Sequence, residues 1–189
     1  MLNQTERTVH IPELLLIGGN TRHIGKTTLA CEIIRNFSGL YQITSFKITS
    51  IYADDEGRHG RHEPILSGDF SIIKENSFTK LKDTAKMLTA GASDSYFIQA
   101  VDSAVNKAWD VFYKGVPKHH LMVCESRSLR RFVAPGLFIY LKSSKIENEK
   151  PHHRWLENLA DLVLVDPNPT EVSNLVRRIK VIKNCWEIF

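Results

Sequence analysis

Two glycines and a Gly-Lys-Thr tripeptide lie close together near the start of the chain. Gly18 and Gly19 follow an apolar segment, and Gly25, Lys26 and Thr27 begin a helical pattern. Glycine lets the backbone approach an anion closely, and a helix N-terminus presents unpaired N–H groups with a partial positive charge. Lysine adds an ammonium, and threonine adds a hydroxyl that can ligate Mg²⁺ beside phosphates. These residue types in this order predict a phosphate-binding loop.

The spacing of this loop is one residue longer than usual, because five residues separate Gly19 from Gly25. The strand pattern before the loop and the helical pattern after it favour a nucleotide site. The alternative is an ordinary glycine-rich turn that carries a solvated lysine. The residues expected to contact the nucleotide are Gly19, Asn20, Thr21, Arg22, His23, Ile24, Gly25, Lys26, Thr27 and Thr28.

Two charged residues near the ends of other predicted strands are expected to face the same crevice. Lys47 lies close to the end of a strand pattern over 41–48, and Glu125 follows the apolar residues 121–124. In open parallel sheets, ligands bind beyond the carboxyl ends of the strands. Glu125 is therefore predicted to hold Mg²⁺ opposite Thr27, and Lys47 to face the phosphates. The alternatives are a helix N-cap at the end of this strand and an exposed lysine.

Polar groups after later strands are candidates for further contacts. The segment 166–169 has the sequence Asp-Pro-Asn-Pro, in which Asp166 or Asn168 would bind the edge of a nucleotide base. An ordinary turn and helix start is the equal alternative. A group of basic residues, expected either to stabilise transferring charge or to lie on a solvated helix face, comprises Arg127, Arg130 and Arg131.

The segment 52–77 lacks a regular apolar pattern and is predicted to be a mobile loop or lid. Its charged residues could contact an anion, hold a metal through His59 and His62, or be solvated. The residues considered there are Asp54, Asp55, Arg58, His59, Arg61 and His62.

Strand and helix patterns alternate along the chain. Predicted strands cover 14–17, 41–48, 96–101, 120–126, 136–141 and 162–165. Predicted helices cover 26–37, 80–88, a segment that follows the N-cap Asp102-Ser103, and 170–182. This alternation predicts one α/β domain over 1–189, with a three-layer, doubly wound and mainly parallel sheet.

The composition is that of an ordinary globular protein. Of 189 residues, 42% are hydrophobic and 24% are charged, which argues against a disordered chain or a membrane protein. The net charge of +4 is small and interspersed with acids, so nucleic acid is not the expected partner. The polar segment 1–10 lacks the apolar core of a signal peptide, which predicts a cytoplasmic protein. The cysteines Cys31, Cys124 and Cys185 lack metal-ligand spacing and are expected to be reduced and structural.

Several of these features together resemble known families. The loop that ends in Gly25-Lys26-Thr27 is similar to that of dethiobiotin synthetase and of the cobyrinic acid amidating synthetases. Features that resemble molybdopterin-guanine dinucleotide biosynthesis protein B are Lys47, Lys82-Asp83-Thr84, Ala90-Gly91-Ala92 and the apolar strand that ends in Glu125. The resemblance spans roughly residues 14–126 and indicates a P-loop NTPase.

This resemblance implies a Mg²⁺-dependent ATP or GTP site. Lys26 and Thr27 would bind phosphate and metal, Asp83 would be a second acid near the metal, and Glu125 the acid at the strand end. Lys47 would bind the transferred phosphoryl group or an anionic substrate. The chain departs from the molybdopterin family in the serine that follows Glu125, where that family has glycine, and it has no Asn-Lys-x-Asp guanine signature. The choice between ATP and GTP therefore stays open.

Two functions are compatible with these expectations. One is an enzyme that couples nucleotide hydrolysis or phosphoryl transfer to a small anionic substrate in cofactor biosynthesis. The other is a nucleotide-binding accessory protein without metabolic chemistry of its own. In the second case, nucleotide would control docking to a partner enzyme or formation of a homodimer.

Overall fold

The computed structural model describes residues 8–51, 68–78, 82–145 and 151–189, without the side chains of 151–153. The strands are β1 (Val9–Gly19), β2 (Ile43–Ile51), β3 (Phe70–Lys74), β4 (Asp94–Val101), β5 (Leu121–Glu125), β6 (Val133–Lys142), β7 (Leu162–Val165), β8 (Ile179–Ile182) and β9 (Cys185–Ile188). The helices are α1 (Lys26–Phe37), α2 (Asp83–Thr89), α3 (Val105–Gly115), α4 (Pro151–Asn158) and α5 (Pro169–Arg178).

Seven of these strands form one sheet, in the order β3-β4-β2-β5-β1-β6-β7. Neighbouring strands are parallel except for β3, which is antiparallel to β4. Helices α1, α3 and α4 lie in the connections from β1 to β2, from β4 to β5 and from β6 to β7, whereas β5 leads to β6 through the 3-10 turn Leu129–Arg131. The prediction of an α/β fold with a mainly parallel sheet is confirmed.

The interior strand β1 is buried on both faces, which explains the continuous apolar run over residues 14–17. Leu14 and Leu16 belong to one core, and Leu15 and Ile17 belong to the other. Residues of α1, α2 and α5 pack in the core with Leu15, whereas residues of α3 and α4 pack in the core with Leu14. Helices therefore cover both faces of the sheet, an arrangement compatible with a three-layer fold.

The prediction of a loop over 52–77 is wrong for residues 70–74, which form the edge strand β3. This strand pairs along its whole length with β4, and Phe70 and Ile72 pack against the core on the α3 face. A five-residue strand between polar stretches carries too short an alternation to be distinguished from a loop. The candidate residues Asp54, Asp55, Arg58, His59, Arg61 and His62 lie outside the described residues.

The predicted last helix is too long, because α5 ends at Arg178 and the chain continues as a β8–β9 hairpin. Trp186 packs this hairpin against the main sheet. Its indole Nε1–H donates to the carbonyl oxygens of Glu13 and Met122, at 2.9 Å and 3.1 Å. The apolar residues Ile179, Val181 and Ile182 continue the periodicity of the helix in sequence, but in the structure the segment 179–182 pairs with 185–188.

The predicted N-cap at Asp102-Ser103 is also wrong. These residues lie in a 3-10 turn, Asp102–Ala104, and neither this turn nor α3 has a side-chain cap. The Asp102 carboxylate instead accepts two hydrogen bonds from Arg131, at 2.6 Å and 2.9 Å. A bidentate pair with a guanidinium therefore takes the place of the expected cap.

The remaining elements lie close to their predicted positions. α1 and β7 have the predicted bounds, β2 begins and ends later than expected, and β4 and β6 begin earlier. The cysteines are free thiols, with Cys31 and Cys124 buried, as expected for structural cysteines. Within the described ranges, no helix has both the length and the apolar character needed to cross a bilayer.

Candidate functional site

The loop between β1 and α1 begins where the backbone comes very close to β6. A Cβ atom on Gly19 would lie 2.8 Å from the carbonyl oxygen of Leu141, so this position requires glycine. Further along, His23 and Gly25 have positive φ angles of 60° and 97°, which turn the chain into the helix. The loop is therefore defined by close approach at its start and left-handed backbone at its end.

Helix α1 begins directly after this loop, at Lys26. The amide of Leu29 donates to the carbonyl of Gly25 at 2.9 Å. The N–H groups of residues 26–28 precede this first helical hydrogen bond, and such groups are the usual anion-binding donors of a helix. This local geometry agrees with a loop that binds an anion.

Asn20 has structural partners on β6. Its backbone N–H donates to Leu141 O at 3.1 Å. Its side-chain Nδ2 donates to Ser143 O at 3.2 Å, and its Oδ1 accepts from Ser143 N–H at 3.0 Å. Asn20 therefore links the start of the loop to the end of β6, a role that sequence reasoning missed. Ser143, two residues after the predicted strand 136–141, was the available signal for this link.

The Lys26 side chain spans the loop. Its ammonium donates to the carbonyl oxygen of Thr21 at 2.7 Å. Burial lowers the pKa of Lys26, Glu125 opposes that change, and the positive charges of Arg127 and Lys47 add to it. The ammonium is thus held at the loop among other cations, and an anion bound there would stabilise its charged form.

Thr27 and Glu125 are in direct contact at the carboxyl edge of the sheet. The Thr27 hydroxyl donates to Glu125 Oε2 at 2.6 Å. Glu125 is buried at the end of β5, which pairs with β1 through Ile17 and with β2 through Lys47. Strand order brings these groups together, because β1, β5 and β2 are neighbours with parallel directions.

Lys47 is bound between two carboxylates. Its Nζ lies 2.6 Å from Asp83 Oδ2 and 3.6 Å from Glu125 Oε1, and Lys86 lies 3.2 Å from Asp83 Oδ1. Burial disfavours the Lys47 ammonium, but Glu125 and Asp83 outweigh it, so the pKa of Lys47 is raised. Burial likewise opposes ionisation of Asp83, but its hydrogen bond from Lys47 leads the effects that lower the pKa of Asp83.

The side chains of Thr27 and Glu125 supply oxygen ligands of the kind that Mg²⁺ prefers. Among the described residues, no three His, Cys, Asp or Glu side chains form a group that could hold a metal by themselves. Mg²⁺ needs no such group, since it retains several waters and binds through one or two protein ligands and phosphate oxygens. The residues present therefore fit Mg²⁺ bound together with a nucleotide. The two carboxylate oxygens of Asp83 accept from Lys47 and Lys86, and among the described residues Lys47 is what links Asp83 to Glu125.

The three arginines after Glu125 differ in position. Arg127 lies near enough to Lys26 for its charge to lower the pKa of that lysine. Arg130 donates to Val133 O at 3.1 Å, and Arg131 binds Asp102. Arg130 is thus bound to the start of β6 and Arg131 to the 3-10 turn Asp102–Ala104, and neither predicted alternative describes these two contacts.

The segment after β7 has the features of a turn and a helix start. Asn168 accepts from Glu171 N–H at 3.0 Å and donates its own N–H to Glu171 Oε2 at 2.9 Å, which forms a capping box for α5. Asp166 has a φ of 42° and accepts from the hydroxyl and N–H of Ser144. Hydrogen bonds from Ser144 lower the pKa of Asp166. Both side chains therefore have local partners, and base binding by them stays a prediction.

These observations define the class of the protein: an α/β fold with a mostly parallel seven-stranded sheet and a charged cluster at the carboxyl edge of its central strands. Comparisons of the chain with protein-family models, with curated proteins and with solved structures give no match. A functional assignment therefore depends on the geometry of the loop and the charged cluster.

Proposed function

We propose that the chain is a P-loop NTPase that binds ATP or GTP with Mg²⁺ at residues 19–28. The observation that carries this proposal is the 2.6 Å hydrogen bond between Thr27 and Glu125. It places a hydroxyl from the first turn of a helix against a buried strand-end carboxylate, directly beside a glycine-bounded loop. An ordinary solvated turn has no need of a buried acid at that point, since burial of a carboxylate costs free energy.

The loop residues have distinct parts in the proposed binding. The N–H groups of 26–28 would donate to phosphate oxygens, and the Lys26 ammonium would exchange the carbonyl of Thr21 for a phosphate. Thr27 and Glu125 would hold Mg²⁺, which would supply positive charge against the β- and γ-phosphates. Asn20 would keep the loop in place through its bonds to β6 rather than by binding phosphate with its side chain.

Lys47 is the group proposed to act on the substrate. Its ammonium is charged and lies within reach of Glu125, so it is close to where a terminal phosphate would lie. We assign it to a small anionic substrate or to the phosphoryl group in transfer, whose developing negative charge it would stabilise. The setting in cofactor biosynthesis comes only from the family resemblance given above.

Calorimetric titration of the full chain with ATP and with GTP, each with and without Mg²⁺, tests the nucleotide site. Lys26→Ala is expected to weaken binding at least about tenfold, because a hydrogen bond to a charged group contributes about 1.5–3 kcal/mol. Lys114→Ala is the matched control, since this exposed lysine lies on α3 against the other face of the sheet. Equal affinities of both variants and the wild type would contradict the proposal, as would no binding of either nucleotide.

A phosphate-release assay then separates the enzyme from the accessory protein. Release that depends on Lys26 and increases with an added metabolite supports the enzyme. Tight binding with no such increase, together with nucleotide-dependent association with itself or another protein, supports the accessory function instead.

A further inference from the structure

Three polar side chains form a row across the sheet, next to the proposed nucleotide site. Thr49 on β2 pairs with Gln99 on β4, and Gln99 pairs with Ser71 on β3. Residues paired directly across neighbouring strands project from the same face of a sheet. Thr49, Gln99 and Ser71, here called the polar row, therefore lie side by side on one face.

The polar row is on the same face as Lys47 and nearer to the carboxyl edge. Side chains alternate along a strand, so Lys47 and Thr49 project together, whereas Ile48 projects into the core on the α3 face. A second row lies on the same face, further from the carboxyl edge: Lys47 pairs with Phe97, and Phe97 pairs with Ile73. The face thus presents a cation and two apolar residues, followed by three hydrogen-bonding groups.

Helix α2 covers this face only below the polar row. The helix begins at Asp83, which binds Lys47, and the chain after it reaches Ser93, whose N–H donates to Ile43 O at 2.8 Å. It therefore runs from the level of Lys47 away from the carboxyl edge. Thr49 and its row partners lie beyond the start of this helix.

The polar row has hydrogen-bonding groups without partners. Gln99 is buried, with 7% of its surface exposed, yet its side-chain amide forms no hydrogen bond within the part of the chain that the structure describes. The hydroxyl of Ser71 is also buried and has no partner there. Buried polar groups in folded proteins are normally hydrogen-bonded, so packing alone does not account for the hydroxyl at Ser71.

We propose that the polar row is the binding site for the substrate of the proposed reaction, and that it recognises an amide or lactam edge. A glutamine amide presents a donor and an acceptor side by side, which is complementary to the C=O and N–H of such an edge. The hydroxyls on either side add groups that donate or accept. Lys47 binds an acid group of the same molecule, and Phe97 and Ile73 contact its carbon skeleton. This inference rests on the proposed function.

Two small probes test the recognition in the full chain. 5-Oxoproline carries a lactam and a carboxylate, whereas cyclopentanecarboxylate has a similar ring and carboxylate without the lactam. We expect the Gln99 side-chain amide signal in ¹H–¹⁵N spectra to shift on titration with 5-oxoproline, and this probe to bind at least tenfold tighter than cyclopentanecarboxylate. Gln99→Leu should remove the difference in affinity, and Gln42→Leu, an exposed control at the opposite edge, should keep it.

Stability provides a readout that separates a binding role from a structural one. If Gln99 serves a ligand, Gln99→Leu removes no hydrogen bond of the free protein and should leave its melting temperature unchanged or higher. A lower melting temperature would show a structural role and overturn the inference. Equal affinity of the wild type for both probes, or no binding of either, would also overturn it.

The nucleotide titration distinguishes this failure from failure of the proposed function. Unchanged ATP or GTP binding by the wild type and by Gln99→Leu, with no lactam preference, rejects the polar row as the substrate site and leaves the nucleotide site intact. Loss of nucleotide binding in the wild type rejects the proposed function itself, and this inference with it.

Discussion

Thr27 and Glu125 are 98 residues apart in sequence and form a 2.6 Å hydrogen bond between the start of α1 and the end of β5. The contact joins the phosphate-binding pattern to a carboxylate on the neighbouring strand. Lys47 reaches the same carboxylate from β2, so strands on both sides of β5 contribute to one cluster. The predictions below test this cluster and the packing that positions it.

Removal of the Thr27 hydroxyl should abolish the effect of Mg²⁺ on nucleotide affinity. Thr27→Ala loses one proposed metal ligand, so its affinity with Mg²⁺ should fall to the affinity that the wild type has in EDTA. Thr27→Ser keeps the hydroxyl and should retain most of the Mg²⁺ effect. Calorimetry with and without Mg²⁺ measures both, and an undiminished Mg²⁺ effect in Thr27→Ala would exclude this residue as a ligand.

Nucleotide affinity should decrease at alkaline pH. Burial lowers the pKa of Lys26 below its ordinary value of 10.5, and only the protonated ammonium attracts phosphate. Since binding favours the protonated form, affinity is greatest below the lowered pKa and declines as the pH rises through it. Titrations across the alkaline range measure this decline.

Lys26→Arg serves as the control for this pH dependence, because arginine stays charged over the same range. The nucleotide affinity of Lys26→Arg should change less with pH than that of the wild type, even if the two affinities differ in size. A decline of equal size in both proteins would assign the pH dependence to another group.

Gly136→Ala should destabilise the fold strongly. A Cβ atom at this position in β6 would lie 2.1 Å from the carbonyl oxygen of Pro12, where the register of β1 and β6 shifts. The backbone must move to accommodate this Cβ atom, so the free energy of unfolding should fall by about 3 kcal/mol. Gly115→Ala, where no atom lies within 4 Å, should change stability by no more than about 1 kcal/mol. Urea denaturation measures the free energy of unfolding of both variants. A similar decrease in both would contradict the close approach of Gly136 to Pro12.

Trp186→Phe tests the docking of the C-terminal hairpin. The change removes the donor to Glu13 and Met122 and leaves a smaller ring in a fully buried position. It should lower the free energy of unfolding by about 2–4 kcal/mol. Trp155→Phe, at a position 44% exposed, should have an effect within about 0.5 kcal/mol. If the two variants are equally stable by urea denaturation, the hairpin does not contribute as the contacts indicate.

Local features of this protein were predictable from its sequence. The bounds of α1, the glycine-bounded loop before it and the strand that ends in Glu125 follow from residue spacing and backbone preference, which act over a few residues. The hairpin over 179–188 was missed because its first strand extends the apolar period of α5. The edge strand β3 was missed because five residues give little periodic signal.

The sequence by itself determined the alternation of strands and helices, and the residue types that could bind phosphate and Mg²⁺. Only the tertiary structure decided that Thr27 contacts Glu125, that Asp83 binds Lys47, and that Asn20 bonds to the end of β6. Such contacts depend on which strands become neighbours. Strand order is set by packing over the whole chain, and local periodicity carries no record of it.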